Sequence, residues 1–111
     1  MSKAYEIEIT EDAIYQMYEI KRYISRILYE PMAAQRLIDE MDKKIRNLSS
    51  SPYLYPVVKE KELKKYNVRK FKVKNYYIYY MIFDEEKIVR VIAVIYARRD
   101  QLRSLMKMNL W

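Results

Sequence analysis

The spacing of apolar residues changes midway along the chain, and this change constrains the fold more than any other feature. Between residues 11 and 48 apolar side chains recur every three or four positions, which predicts helices with one apolar face. Between residues 68 and 96 they fall in short runs separated by turn residues, which is typical of strands. An alternating segment at residues 5–9 adds a strand before the helices. The sequence therefore predicts an α+β domain.

Two helices are predicted in the first half of the chain. Thr10 is suited to cap the first, which we expect at about residues 11–29. Pro31 has no amide hydrogen, so it interrupts that helix and suits the first turn of the second, which extends to about Leu48. The connection around Glu30 is short, so the helices should be antiparallel neighbours. The result is a helical hairpin with one apolar face to bury.

Three further strands are predicted at residues 68–74, 76–83 and 88–96, and their short connections make them an antiparallel meander. With the N-terminal strand they form an antiparallel sheet of about four strands, and the helical hairpin packs on one face of it. The last strand is apolar on both faces apart from Arg90, so it should lie inside the sheet. We interpret residues 49–66 as a connecting loop and residues 98–111 as a tail with a short C-terminal helix.

Length and composition exclude several classes of protein. At 111 residues we expect a single domain, residues 1–111. No apolar run approaches the roughly 20 residues of a membrane span, and no secretory signal is evident, so we expect a soluble cytoplasmic protein without membrane contact. The chain has no histidine and no cysteine, so we predict no zinc site. We also expect no other metal and no cofactor.

Glycine is also absent, which excludes the glycine-rich loops that hold nucleotide phosphates. Turns that need a positive φ must then use other residues, and Asn67 and Asn75 are the expected ones.

The positive charge is concentrated in the second half of the chain. Residues 1–60 carry nine Lys/Arg against ten Asp/Glu, a net charge of −1, whereas residues 61–111 carry 13 against five, a net charge of +8. A concentrated positive field attracts polyanions and speeds encounter with them. This placement favours nucleic acid or an acidic protein as the partner, and the alternative is a solvated lysine-rich surface.

The order of strand, helical hairpin, three-strand meander and basic tail resembles the RelE/ParE family of toxins, also called the plasmid stabilisation family. The local features that resemble the family are Tyr23-Ile24, Pro31 with Ala33-Ala34, Leu48 with Pro52, Arg69 to Val73 leading into Tyr76 to Tyr80, and Val94 to Asp100. The resemblance implies a growth-inhibiting toxin of a type II toxin–antitoxin module, silenced by a cognate acidic antitoxin protein.

The resemblance leaves the target open. RelE-like members are mRNA interferases that cut messenger RNA on the ribosome, whereas ParE-like members inhibit DNA gyrase and cut nothing themselves. Lys70 and Lys72 match the paired lysines of the nucleases, and Arg99 approximately matches an arginine after their last strand. These three are the candidate catalytic residues if the protein is a nuclease. Two other residues of the RelE-like nucleases have no match. Their arginine early in the middle strand is replaced here by Tyr77, and the position of their C-terminal catalytic tyrosine falls near Leu105.

The missing matches favour the gyrase inhibitor slightly, and a basic binding module that has lost toxicity is the third possibility. Five further residues are candidates for contact with nucleic acid or a partner: Lys74, Tyr77, Tyr79, Arg98 and Arg103. The lysines alternate along a strand, so they can equally form a solvated edge that blocks aggregation. The tyrosines can stack on bases or pack within the sheet, since tyrosine is a common strand residue.

Overall fold

The computed structural model describes residues 4–108 and contains the predicted elements in the predicted order. The strands are β1 (Glu6–Ile9), β2 (Arg69–Val73), β3 (Tyr76–Phe83) and β4 (Ile88–Tyr96). The helices are α1 (Glu11–Arg22), α2 (Pro31–Asn47), α3 (Lys61–Lys64) and α4 (Gln101–Met106). The predicted α+β architecture is confirmed, including the short C-terminal helix. Leu110, which we assigned to the tail, lies outside the described residues.

The four strands form one sheet in the order β1-β4-β3-β2. β2, β3 and β4 are antiparallel neighbours, and β4 lies inside the sheet as its apolar sequence predicted. β1 pairs parallel to β4, with Glu6 opposite Ile88 and Ile9 opposite Val91, so the sheet is mixed rather than wholly antiparallel. No tight turn joins β1 to β4, because the helical hairpin intervenes, and therefore no local geometry imposes an antiparallel direction.

The helical hairpin begins and turns where the local chemistry requires. The Thr10 hydroxyl accepts a hydrogen bond from the Ala13 amide at 3.2 Å, which satisfies a free N–H of the first turn of α1. After α1 the helix continues as a π-helical segment, Tyr23–Ile27. Tyr29 then adopts a left-handed conformation with φ of 57°, and Pro31 opens α2. The first helix thus extends nearly as far as predicted, but its last turn is wider than an α-helix.

The sheet buries an apolar core on each face. On one face α1 and α2 contribute Ala13, Met41 and Ile45, which pack on Ile78 and Tyr80. On the other face a second core forms from the segment before β2 and from α4. Its buried members are Val58, Leu63, Val68, Tyr79, Ile92, Ala93, Ile95 and Leu105.

This second core corrects the interpretation of residues 49–66 as a plain loop. The segment contains the short helix α3 and pairs with β2 through a bridge between Val57 and Arg69. Val58 and Leu63 are buried, because the sheet face that the helical hairpin leaves open needs an apolar cover.

Of the two asparagines predicted to have a positive φ, one does. Asn67 has a φ of 54°, as predicted, but Asn75 is not left-handed. Lys74 occupies that conformation instead, with a φ of 53°. The turn between β2 and β3 has two residues, and its first position takes the positive φ, so the register places Lys74 there.

Candidate nucleic-acid or partner interface

One face of the sheet lies opposite the helical hairpin, and we call it the basic face. It carries Lys70, Lys72, Tyr77 and Tyr79. In the antiparallel pairing of β2 with β3, Lys70 lies opposite Tyr79 and Lys72 lies opposite Tyr77. Side chains directly opposite each other project to the same side of a sheet. Phe71 and Val73 alternate to the other side and pack under the helices. Strand geometry therefore brings together the two lysines that the sequence singled out.

The tyrosine rings support the lysine ammonium groups. The Lys70 Nζ lies 4.5 Å from the ring centroid of Tyr77 and 6.0 Å from that of Tyr79. The Lys72 Nζ lies 5.8 Å from the Tyr77 centroid. A cation at such distances is attracted by the negative ring face, by about 0.5–1 kcal/mol where the site is exposed. Tyr77 is therefore a platform for the lysines and adds no charge of its own.

Tyr79 was predicted as a binding residue, but its side chain is buried and is not part of the accessible surface of the basic face. Its side chain is 1% exposed, and its hydroxyl donates a hydrogen bond to the Gln101 Oε1 at 2.9 Å. Burial raises the pKa of Tyr79 well above its usual value, and the nearby charge of Glu60 adds to the effect. Tyr79 belongs to the second core, which covers this part of β3. Tyr77, half-buried, remains as the accessible ring of the face.

Arg98 and Arg99 lie at the same edge of the sheet as Lys72. β2 and β4 run in the same direction because each is antiparallel to β3, so their C-terminal ends meet at one edge. The strands are separated by β3 alone, which places their backbones roughly 10 Å apart. Arg98 and Arg99 follow β4 in an exposed turn, and Arg103 is exposed on α4. The meander thus brings lysines and arginines from distant parts of the chain to one region.

Lys74 departs from the predicted arrangement. We expected it to alternate with Lys70 and Lys72 on one strand, but β2 ends at Val73. Lys74 is exposed in the left-handed turn that follows. Its charge stays at the same edge, but the strand no longer sets its direction.

The cations of this region are not neutralised by neighbouring carboxylates. Within residues 4–108 no salt bridge involves the six candidate cations: Lys70, Lys72, Lys74, Arg98, Arg99 and Arg103. By contrast, Arg90 pairs with Glu8 at 2.9 Å, and Arg69 donates to the Tyr55 carbonyl at 2.5 Å. Arg90 and Arg69 thus have structural partners. The six candidate cations remain available to an anionic partner.

Two residues that the sequence did not single out complete the site. Gln101 makes three hydrogen bonds, to Tyr79 and to two backbone carbonyls. Glu60 has one carboxylate oxygen that is buried without a hydrogen-bond partner, and its charge acts on Tyr79. Neither stands in a periodic pattern, and the only local signal is Asp100 before Gln101, whose carboxylate caps α4 by accepting from the Arg103 amide at 3.1 Å.

Residues 4–108 contain no cluster of three or more acidic, histidine or cysteine side chains arranged to hold a metal ion. None of the helices described is long and apolar enough to cross a membrane.

Comparison with solved structures shows the same fold in several toxins. The chromosomal ParDE toxin–antitoxin system of P. aeruginosa aligns with a TM-score of 0.70 and 11% identity, over 87% of this chain and 100% of that one. The isolated RelE toxin of E. coli aligns with a TM-score of 0.59 and 19% identity, over 94% and 96%. The toxin–antitoxin complex RelBE2 of Mycobacterium tuberculosis gives 0.58 and 14%, over 86% and 94%.

These identities are too low to show more than a shared fold, and no curated protein matches the sequence significantly. The family is shown by the sequence itself. The profile of the family described as ParE toxin of type II toxin–antitoxin system, parDE, matches residues 7–101, which include both helices of the hairpin, all but the first residue of β1, and the arginine turn. The chain therefore belongs to the ParE toxin family of type II toxin–antitoxin systems.

Proposed function

We propose that this toxin inhibits DNA gyrase without cutting nucleic acid itself. The observation that carries the proposal is the state of the basic face. Lys70 and Lys72 supply positive charge there, but Leu105, near the position of the nuclease tyrosine, is apolar and fully buried. The family match is to ParE toxins and is compatible with this choice. Gyrase acts on DNA in the cytoplasm, so the proposal also places the protein there.

Cleavage of RNA through its 2′-hydroxyl needs more than this face supplies. One group must accept the hydroxyl proton and another must protonate the leaving oxygen. Tyr79 is buried, its hydroxyl is bonded to Gln101, and its pKa is raised, so it is unsuited to accept a proton. Losing one positioned proton-transfer group costs a factor of roughly 10² or more in rate. Lysines held over tyrosine rings are suited to bind an anion. Anion binding can serve an inhibitor by itself, whereas a nuclease also needs groups that transfer protons.

Glu60 supports a second candidate function, a RelE-like endonuclease that cuts messenger RNA on the ribosome. A buried carboxylate oxygen without a hydrogen-bond partner is costly, and a catalytic role is one explanation for such a group. Placed near Tyr79, Glu60 is a candidate general base for the 2′-hydroxyl. Under this alternative Lys70, Lys72 and Arg99 stabilise the phosphate. Replacing Glu60 separates the two functions, since gyrase inhibition does not need its proton-accepting oxygen.

Induction of the toxin in cells distinguishes these mechanisms. We expect growth arrest with DNA-damage signs, while messenger RNA ends mapped within minutes stay unchanged. Glu60→Gln preserves size and removes the carboxylate charge, and it should leave the arrest intact. Codon-phased messenger RNA cleavage that disappears in Glu60→Gln and in Lys70→Ala would establish the endonuclease. Absence of growth arrest with folded wild-type protein would favour a binding module without toxicity.

We further propose that an acidic segment of the cognate antitoxin covers Lys70, Lys72 and Arg99. These cations have no carboxylate partner among the described residues, so an acidic chain gains charge-assisted hydrogen bonds there. Long-range attraction should steer the association, and salt should slow it.

Stopped-flow association with the antitoxin at increasing ionic strength tests this placement. The association rate should fall by roughly tenfold or more between low and physiological salt. The double variant Lys70→Gln with Lys72→Gln should lower the rate at low salt and flatten the salt dependence. A matched control is Lys43→Gln with Lys44→Gln on α2. It makes the same change of charge on the side of the sheet that the helical hairpin covers. Equal effects of both pairs, or no salt dependence, would contradict the proposal.

A further inference from the structure

One side chain ties the exposed arginine turn to the end of β4. The Gln101 Nε2 donates to the Tyr96 carbonyl at 2.7 Å and to the Arg99 carbonyl at 2.9 Å. Tyr96 is the last residue of β4, and its carbonyl also accepts a hydrogen bond from the Arg99 amide at 3.0 Å. These bonds join the two ends of the turn that carries Arg98 and Arg99, so the backbone of the turn is held in one closed form.

The same side chain anchors the turn in the second core. The Gln101 Oε1 accepts the hydroxyl of Tyr79 at 2.9 Å, and Tyr79 is 1% exposed in the middle of the sheet. Burial raises the pKa of this tyrosine, so its hydroxyl stays protonated, and remains a donor, to a higher pH than an exposed tyrosine. Leu105 of α4 belongs to the same core and is fully buried. Gln101 therefore connects an exposed turn to a fixed point in β3.

We propose that Gln101 is a positioning residue that holds Arg98 and Arg99 ready for an anionic target. The inference rests on the proposed function, because it assumes that the arginine turn contacts the target. An exposed turn that had to be ordered on binding would lose conformational entropy at that step, and a turn already ordered avoids much of this cost. The role needs an amide, since one atom must accept from Tyr79 while another donates to two carbonyls.

Substitutions can separate the two halves of this arrangement. Gln101→Ala removes all three hydrogen bonds, and Gln101→Glu keeps an acceptor for Tyr79 but loses the donor to the Tyr96 and Arg99 carbonyls. Both should raise the concentration that half-inhibits gyrase roughly tenfold, because two hydrogen bonds to the turn are lost. Gln35→Ala is the matched control, since Gln35 is exposed on α2 and bonds only to Asp39 one turn later. It should behave as wild type.

Coupling to the arginines distinguishes positioning from general stability. In the background Arg98→Ala with Arg99→Ala, replacing Gln101 should have no further effect on potency, whereas a loss of folded protein would add to the arginine effect. Wild-type potency of Gln101→Glu, or additive effects in the arginine background, would overturn the inference.

Amide hydrogen exchange of the purified proteins supplies a readout that needs no target. Exchange at residues 98–100 should be faster in Gln101→Ala and in Gln101→Glu than in wild type, with exchange in β3 unchanged. If wild-type protein leaves gyrase unaffected, the proposed function fails, and the same variants are compared by exchange and by growth arrest. Unchanged exchange would then overturn the positioning role itself.

Discussion

Replacing Tyr80 by phenylalanine should destabilise the fold by an amount that depends on pH. Tyr80 is fully buried in the core under the helices, and its hydroxyl donates to the Pro52 carbonyl at 2.8 Å. Pro52 is also buried, so Tyr80→Phe leaves its carbonyl without this partner. A buried acceptor without its donor costs about 1–3 kcal/mol. For a chain of this size that corresponds to a fall of roughly 4–13 °C in Tm at neutral pH.

The pH dependence follows from the same hydroxyl. Burial raises the pKa of Tyr80 from 10.0 to about 12. A folded-state pKa above the unfolded value contributes stability that is present below pH 10 and is lost as the pH rises through 12. At pH 11 wild type should have lost about 1.4 kcal/mol through this residue, whereas Tyr80→Phe loses nothing there. The difference between the two proteins should therefore shrink, and it can change sign near pH 12.

Urea unfolding of both proteins between pH 8 and 11 measures this change. Tyr15→Phe is the matched control, because Tyr15 is 63% exposed on α1 and its hydroxyl should contribute less than about 0.5 kcal/mol. A difference between wild type and Tyr80→Phe below about 0.5 kcal/mol at pH 8, or one that stays constant to pH 11, would refute the reasoning.

Two further predictions concern acid stability and the helical core. The Tyr5 and Tyr53 hydroxyls donate to Asp84 and lower its pKa below 3.8, so this carboxylate stabilises the fold above pH 3.8 and the contribution is lost as the pH falls through its folded value. Asp84→Asn should accordingly destabilise at pH 7 and make little difference at pH 2, as measured by urea unfolding at both values. Met41→Ala, at a fully buried position of α2, should cost about 2–5 kcal/mol, whereas Met32→Ala on the same helix, 73% exposed, should cost less than about 0.5 kcal/mol. Equal Tm values for the two methionine variants would contradict the assignment of the core.

The elements of the fold could be predicted because each depends on a local pattern. Apolar residues three and four apart form α2, and its predicted start at Pro31 is its observed start. Strand β4 is apolar on both faces and lies inside the sheet. In both cases the residue pattern itself records which sides of the element are buried.

The features that could not be predicted depend on contacts between distant segments. Nothing in residues 5–9 determines that β1 pairs parallel to β4, since the partner strand lies in the last third of the chain. Val58 and Leu63 are buried because they cover the sheet face that the helical hairpin leaves open. No local pattern in their own segment predicts this burial. Tyr77 and Tyr79 alternate identically in the sequence, yet the second core buries Tyr79 and leaves Tyr77 partly accessible.

The sequence predicted which charged residues lie together in the candidate site, but it did not predict the polar residues that contact Tyr79 and the arginine turn. Alternation placed Lys70 and Lys72 on one face, and the meander brought Arg98 and Arg99 to the same edge. Both follow from strand geometry. Gln101 acts through hydrogen bonds to Tyr79 and to two backbone carbonyls, and Glu60 acts through its charge on Tyr79. Individual interactions of this kind leave no period in a sequence.

The most direct test of the account is supercoiling of relaxed plasmid by purified gyrase, with the toxin as the only addition. We expect wild-type protein to block supercoiling and Lys70→Gln with Lys72→Gln to be at least roughly tenfold weaker, because the basic face then loses both of its lysine charges. Lys43→Gln with Lys44→Gln should match wild type. Full supercoiling at saturating wild-type toxin, together with cleavage of messenger RNA on ribosomes by the same preparation, would contradict the central claim and make this protein an endonuclease.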